Sequence, residues 1–244
     1  MRREDIILQI VQLRDFYNGL HFDGGDGTCY TISGTLAFTA TYQSETIEDS
    51  YQILILIPQT YPHKLPLIKE TGGRIPSSFH TNPDGTLCLE APVKLYMVFN
   101  ENHTLLHFVN KCALPFFYSF SYHEKYGQLP FGDWAHGGEG LLQMYKEFFQ
   151  LNDNHTVITF LKILAENKYR GSIPCPCHSG KKLHQCHRPL LKQIQHLQGS
   201  KQYAAEYAQI ISYFRENNIP LDKSLVSKKA FKKARKLMRG NNNY

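Results

Sequence analysis

Ile6, Ile10, Leu13, Tyr17 and Leu20 recur every three or four residues, with Glu4, Gln9, Gln12 and Asp15 between them. A helix gathers such positions on one face, so the chain is predicted to open with an amphipathic helix. A glycine-rich break follows at residues 23–27. The period then drops to two. Tyr30, Ile32, Gly34, Leu36, Phe38, Ala40 and Tyr42 alternate with Thr31, Ser33, Thr35, Ala37, Thr39 and Thr41, which predicts a long, half-buried strand. Residues 51–57 form a second strand, apolar on both faces at its end and therefore central. Pro58, Pro62 and Pro66 each remove a backbone donor and stop regular structure before a short strand at residues 67–70. The pattern at residues 105–118 is helical, interrupted by Pro115. A loop is expected at 127–140, then helices at 141–150 and 156–167. Tyr203, Tyr207, Ile210, Ile211 and Phe214 mark another helix, and residues 228–238 a basic one.

This order predicts an α+β domain over residues 1–168, with an antiparallel strand meander and flanking helices. A small module at 169–190 and a helical tail at 191–244 follow. At 42% hydrophobic and 20% charged residues, the 244-residue chain has the composition of a globular protein. Its longest aliphatic run, residues 53–57, is far short of a membrane span. Arg2 and Arg3 are followed by Glu4 and Asp5, unlike a secretory signal. A reducing, cytoplasmic setting with no membrane partner is expected. The formal net charge of +6 is uneven: eight Lys or Arg and one acid lie between Asp222 and Arg239. Without them, 19 basic residues face 20 acidic ones, so the basicity reads as a property of the tail.

Cys88 follows the turn signal Asn82-Pro83-Asp84-Gly85, where a thiol can be exposed. Cys29 and Cys112 lie within apolar patterns and read as small core residues. Around Cys88 several segments stand in a telling order. Pro58-Gln59-Thr60-Tyr61-Pro62-His63-Lys64-Leu65-Pro66 resembles the strand-end segment of ubiquitin-conjugating enzymes. His80-Thr81-Asn82 resembles their His-Pro-Asn motif, and Asp84-Gly85-Thr86-Leu87-Cys88-Leu89 their nucleophile segment, with Tyr96 eight residues on where Trp is usual. The resemblance covers about residues 1–120 and is to the divergent bacterial branch, which includes proteins of antiviral conjugation systems. The 66–80 stretch is longer than in eukaryotic members, the interval from Asn82 to Cys88 is shorter, and Thr81 replaces Pro.

The resemblance implies a UBC-like fold and an acyltransferase. Cys88 would accept a ubiquitin-like or other C-terminal-glycine carrier as a thioester from an activating enzyme and pass it to a target lysine. Asn82 would steady the oxyanion or, on its turn chemistry, simply hold the loop. His80 would bond the active-site backbone. Asp84, Glu90 and His136 are the groups available to deprotonate the incoming amine. The segment 131–140, with the only Trp, resembles a loop after the catalytic core in that branch, and a packed connector is the plainer reading.

Cys175-Pro176-Cys177 precedes Cys186-His187 by eight residues. Three thiolates and an imidazole fill a tetrahedral shell, the composition of a structural zinc site. With Pro174, Ser179, Gly180, Lys181 and Lys182, the pattern resembles the SEC-C zinc-binding motif, except that His178 stands where the motif has Gly. His178 and His184 are alternative fourth ligands. The competing reading of the whole chain is a non-catalytic UBC-fold or SEC-C adaptor that binds protein or nucleic acid, the basic tail docking an acidic partner. On apolar width alone, only Phe231, Ala234 and Leu237 or Met238 line that tail helix, too narrow a strip for a major core contact.

Overall fold

The computed structural model describes residues 3–131, 137–168 and 171–240; Trp134 and His136 lie outside them. The chain divides into two units, residues 1–133 and 134–244.

In the first unit, helix α1 (Arg3–Phe16) precedes four strands: β1 (Leu20–Gly25), β2 (Cys29–Tyr42), β3 (Glu45–Pro58) and β4 (Leu67–Glu70). They form one antiparallel sheet in the order β1-β2-β3-β4, with Tyr30 opposite Ile57 and Ile55 opposite Ile68. The alternation in β2 is realised: Tyr30, Ile32, Leu36 and Phe38 are buried, and in β3 so are Ile47, Tyr51, Ile53, Ile55 and Ile57. Ile6, Ile10 and Leu13 of α1 join this core, as do Phe108, Phe116, Phe117 and Phe120 from the helices that follow the sheet. Gly34 interrupts the apolar series for a steric reason. At φ 128°, its Cβ would stand 2.2 Å from the Gly19 carbonyl oxygen, where the chain entering β1 is hydrogen-bonded alongside β2.

Helices α2 (Pro92–Phe99), α3 (Leu105–Phe108) and α4 (Leu114–Tyr126) complete the unit, with a π-helical turn at Val109–Ala113 between the last two. Pro115 has no N–H to continue an α-helical ladder. The wider turn, in which the Leu114 N–H reaches the Val109 carbonyl, carries the chain past it without a break. At the sheet surface Arg74 is held by Asp49 at 2.7 Å and by Glu124, with its guanidinium 4.5 Å above the Tyr51 ring. Burial raises the Asp49 carboxyl, but Arg74 and the Ser121 hydroxyl outweigh that and hold it near 2.

The second unit is helical: α5 (Gly137–Phe149), α6 (Asn154–Glu166), α7 (Arg188–Gln195), α8 (Ser200–Glu216) and α9 (Lys228–Gly240). Helix α8 is its axis. Tyr203, Ala204, Tyr207, Ala208, Ile210, Ile211 and Phe214 are buried, and α5, α6 and α9 all pack on it. This differs from the sequence division at residue 168. The apolar faces of α5 and α6 close on α8, so the boundary falls before α5, and Gly137–Gly140 is helix rather than loop. The expectation that the basic helix lacks a major core contact also fails. Ala230 and Ala234 are fully buried, and small side chains let α9 approach α8 closely along a narrow strip. Ser227 caps α9, its hydroxyl accepting from the Ala230 N–H and donating to Glu166. Lys229 and Lys233 donate to the last carbonyls of α6, Glu166 and Ala165, at 2.8 Å each, where the helix dipole favours cations.

Among the described residues, one carboxyl lies inside this core: Glu206, 1% exposed. Tyr145 donates to it at 2.5 Å, Gln198 at 2.9 Å and Gln202 at 3.4 Å, all neutral groups. Burial outweighs these donors and raises Glu206 to about 7. The folded form therefore holds its proton more tightly than the unfolded chain. That stabilisation is complete below the unfolded value near 4.5 and is lost as pH rises through 7. A shift of that size is on the order of 3 kcal/mol. Chemical denaturation of Glu206→Gln and the parent between pH 4.5 and 8 is expected to show the parent losing stability over this window relative to the variant; parallel curves would contradict the assignment.

Candidate metal centre and thiol loop

The segment before α7 is too short for a core of its own, and its backbone is tied into a small hairpin. The Cys175 N–H donates to the Lys181 carbonyl, and the Leu183 N–H to Ile173, at 2.9 Å each, with Gly180 at φ 74° in the turn. Pro174 and Lys182 pair across it. A 3-10 turn at Leu183–Gln185 then brings Cys186 and His187 back towards the first two cysteines.

The ligand atoms of Cys175, Cys177, Cys186 and His187 all lie within 4.8 Å of one another. Sγ of Cys177 is 3.3 Å from that of Cys175 and 3.6 Å from that of Cys186. Nδ1 of His187 is 3.3 Å from the Cys175 sulfur and 3.2 Å from the Cys186 sulfur. A tetrahedron of Zn–S bonds of ~2.3 Å has edges of about 3.8 Å, so the donors are spaced to share one ion. Burial lowers the His187 pKa, which favours the neutral imidazole a metal requires. The set is a Cys3His cluster suited to structural zinc, with all four positions supplied by protein. The open question of the fourth ligand is resolved. Nδ1 of His184 is engaged with the Gly171 carbonyl at 2.7 Å, and His178 is absent from the cluster. His178 instead occupies a left-handed turn at φ 58°, the conformation for which the motif ordinarily uses glycine.

This hairpin is built into the helical unit. The Thr156 hydroxyl donates to the Pro176 carbonyl at 2.9 Å, the His187 ring lies 4.8 Å from that of Phe160, and Leu183 is fully buried. Thr156 is itself fixed at the start of α6 by Asp153, which caps the helix through the Thr156 N–H at 2.8 Å. Sequence spacing found the ligands but missed these anchors on α6, which lie some 20 residues upstream and carry no metal-binding signature.

In the other unit Cys88 is exposed, whereas Cys112 is buried and Cys29 partly so. The Cys88 loop is pinned from three sides. The Cys88 N–H donates to the His80 carbonyl at 2.7 Å, the Leu87 N–H to the Ile68 carbonyl of β4 at 2.7 Å, and Lys69 Nζ to the Asp84 carbonyl at 2.7 Å. His80 thus touches the thiol residue through its backbone, while its ring packs edge-on to Phe79. The Asn82 side chain donates to the Thr86 hydroxyl at 3.0 Å and holds the turn around Gly85. Asp84 accepts from both the N–H and the hydroxyl of Thr86, and these bonds outweigh burial and lower its pKa. Glu90 accepts from the Ala91 N–H and faces Lys94 at 3.8 Å. Crowding by neighbouring atoms, then the Glu90 charge, raises the Cys88 thiol above its ordinary value. Tyr96 donates to the His63 carbonyl at 3.1 Å, linking α2 to the proline-rich segment.

The SEC-C motif model matches residues 172–189, which contain all four metal ligands. Comparison with curated proteins gives no match. Among the described residues, no helix is long and apolar enough to cross a membrane.

Protein prepared under reducing conditions is expected to hold one zinc per chain by elemental analysis, and Cys175→Ser or Cys186→Ser to lose it. Because Phe160 and Thr156 are engaged, metal loss should lower the melting point of the helical unit by several degrees. Zinc-free parent protein, or full zinc in the double variant, would contradict the assignment.

Proposed function

We propose that this chain acts as an adaptor whose helical unit is a binding module scaffolded by zinc. The observation that carries this reading is the closed Cys3His cluster, in which the protein supplies every ligand and leaves no position for a substrate. A metal placed this way fixes shape, and a fixed surface on a rigid helical frame serves binding. The SEC-C match over the same residues supports the same reading.

A second reading attaches to the first unit, and the exposure of Cys88 favours it. In that reading the unit is UBC-like, as its helix followed by a four-strand meander suggests, and Cys88 carries an acyl group. The Cys88 sulfur would attack the carbonyl of a carrier thioester, releasing the donor thiol. A lysine amine would then displace Cys88, forming an amide and returning the thiol with its proton. His80 and Asn82 would be positioning residues, one through its carbonyl and the other through Thr86. The raised thiol weighs against ready charging, since less of it is thiolate at neutral pH.

The two readings separate in a thioester-exchange experiment. Full-length protein is incubated with a peptide thioester ending in glycine, and adducts are followed by intact mass. The adaptor reading expects Cys88 to react no faster than glutathione at pH 7.5, with the rate still climbing above pH 9 as thiolate forms. Exchange ten or more times faster than glutathione, abolished by Cys88→Ala and retained in Cys29→Ser and Cys112→Ser, would overturn it in favour of the acyl carrier.

A further inference from the structure

The division into units redraws the charge map. Residues 134–244 hold 18 Lys and Arg against 7 Asp and Glu, whereas residues 1–133 hold 9 against 14. The basicity is therefore a property of the whole helical unit and not of its last helix alone. Within that unit the cations of α9 have two distinct uses. Lys229 and Lys233 reach the carbonyl end of α6. Lys228, Lys232, Arg235 and Lys236 are exposed, and none of the four forms an ion pair among the described residues. At positions i, i+4, i+7 and i+8 they share the face opposite buried Ala230 and Ala234. A rise of ~1.5 Å per residue sets neighbouring cations of this row about 6, 4.5 and 1.5 Å apart along the helix, all within about 12 Å of its length.

We infer that the outward face of α9 is a docking surface for the phosphate backbone of duplex nucleic acid. This rests on the adaptor reading and names its partner. Two observations select that partner among anionic surfaces. A duplex carries one charge per ~1.7 Å of axis, so a row of cations finds phosphates in any register. A protein interface is organised around buried apolar anchors, and this face offers none. Among the described residues of the helical unit, the one large apolar side chain markedly exposed is Ile173, which lies outside α9. The same absence removes the means of inserting into a bilayer, and of stacking unpaired bases on aromatic rings. What remains is electrostatic contact with a continuous backbone, with little dependence on base sequence.

The test uses full-length, zinc-loaded protein and a fluorescent 20-base-pair duplex of arbitrary sequence, titrated by anisotropy from 50 to 200 mM salt. The expected result is binding that weakens steeply with salt. The Lys228→Gln/Lys232→Gln/Arg235→Gln variant should lose at least tenfold in affinity at 50 mM. Its slope of log affinity against log salt should fall by about 2–3, near 0.9 for each contact removed. A Lys→Arg variant at 228 and 232 should bind as the parent does, and so should Lys111→Gln, an exposed cation of the other unit. Retained zinc and an unchanged melting point confirm that the variants fold. Unchanged affinity in the triple variant would overturn this surface yet leave the adaptor reading standing, since that reading fails through the thioester-exchange rate. Displacement of the duplex by polyglutamate at equal charge would overturn it in favour of an acidic protein.

Discussion

Four side chains from a segment of about a dozen residues must be held with their donor atoms within 4.8 Å of one another, and three of them are thiols. Thiolates at that separation repel, and a hairpin with one fully buried leucine cannot offset the repulsion by packing. A dication at the centre reverses the sign of the interaction and turns the segment into a rigid corner. Two helices of the second unit meet that corner. The start of α6 meets it through Thr156 and Phe160, α7 departs from it at His187, and α8 closes over the helices so placed. A zinc ion held by these four ligands would order structure, since the protein fills every coordination position.

The same unit shows how strongly a helix's role depends on its smallest side chains. Helix α9 is so rich in lysine that its apolar strip looks too thin to hold it. Yet Ala230 and Ala234 bring its backbone against α8, and Ser227 and two lysines fasten its end to α6. Docking by small residues buries little area per residue but leaves long cationic side chains projecting outward. The helix is at once part of the core and the most charged exposed surface in the unit. Glu206, met by neutral donors, is the one buried carboxyl of this core among the described residues, and Thr156, Gln198 and Ser227 are further buried polar side chains of the same unit.

Much of this was legible in the sequence, and the failures have physical causes. The period-two run in β2 and the apolar stretch of β3 mark their strands because a half-buried sheet imposes that period directly. The metal ligands are equally plain, since a chelating hairpin needs them close together in the chain. Strand β1 escaped: its sequence ends in two glycines, and its conformation is set by pairing with β2. Helix α2, opened by Pro92, carries too few turns for a clear period. The unit boundary was misplaced because an amphipathic helix announces that it has a buried face but not which helix covers it. For Cys88, the turn and the exposure could be read from Asn82 to Gly85, whereas the crowding that raises its thiol arises only in the folded loop.

The central claim is that the metal orders the hairpin of the second unit and the helix ends that meet it, α6 and α7, and leaves the sheet of the first unit to stand on its own core. Hydrogen exchange read by mass spectrometry, before and after zinc removal with a chelator under reducing conditions, tests this most directly. Protection should fall across residues 171–195 and in the first turns of α6, with β2 and β3 unchanged. Unaltered protection throughout the helical unit, or an equal loss in the sheet, would contradict the account.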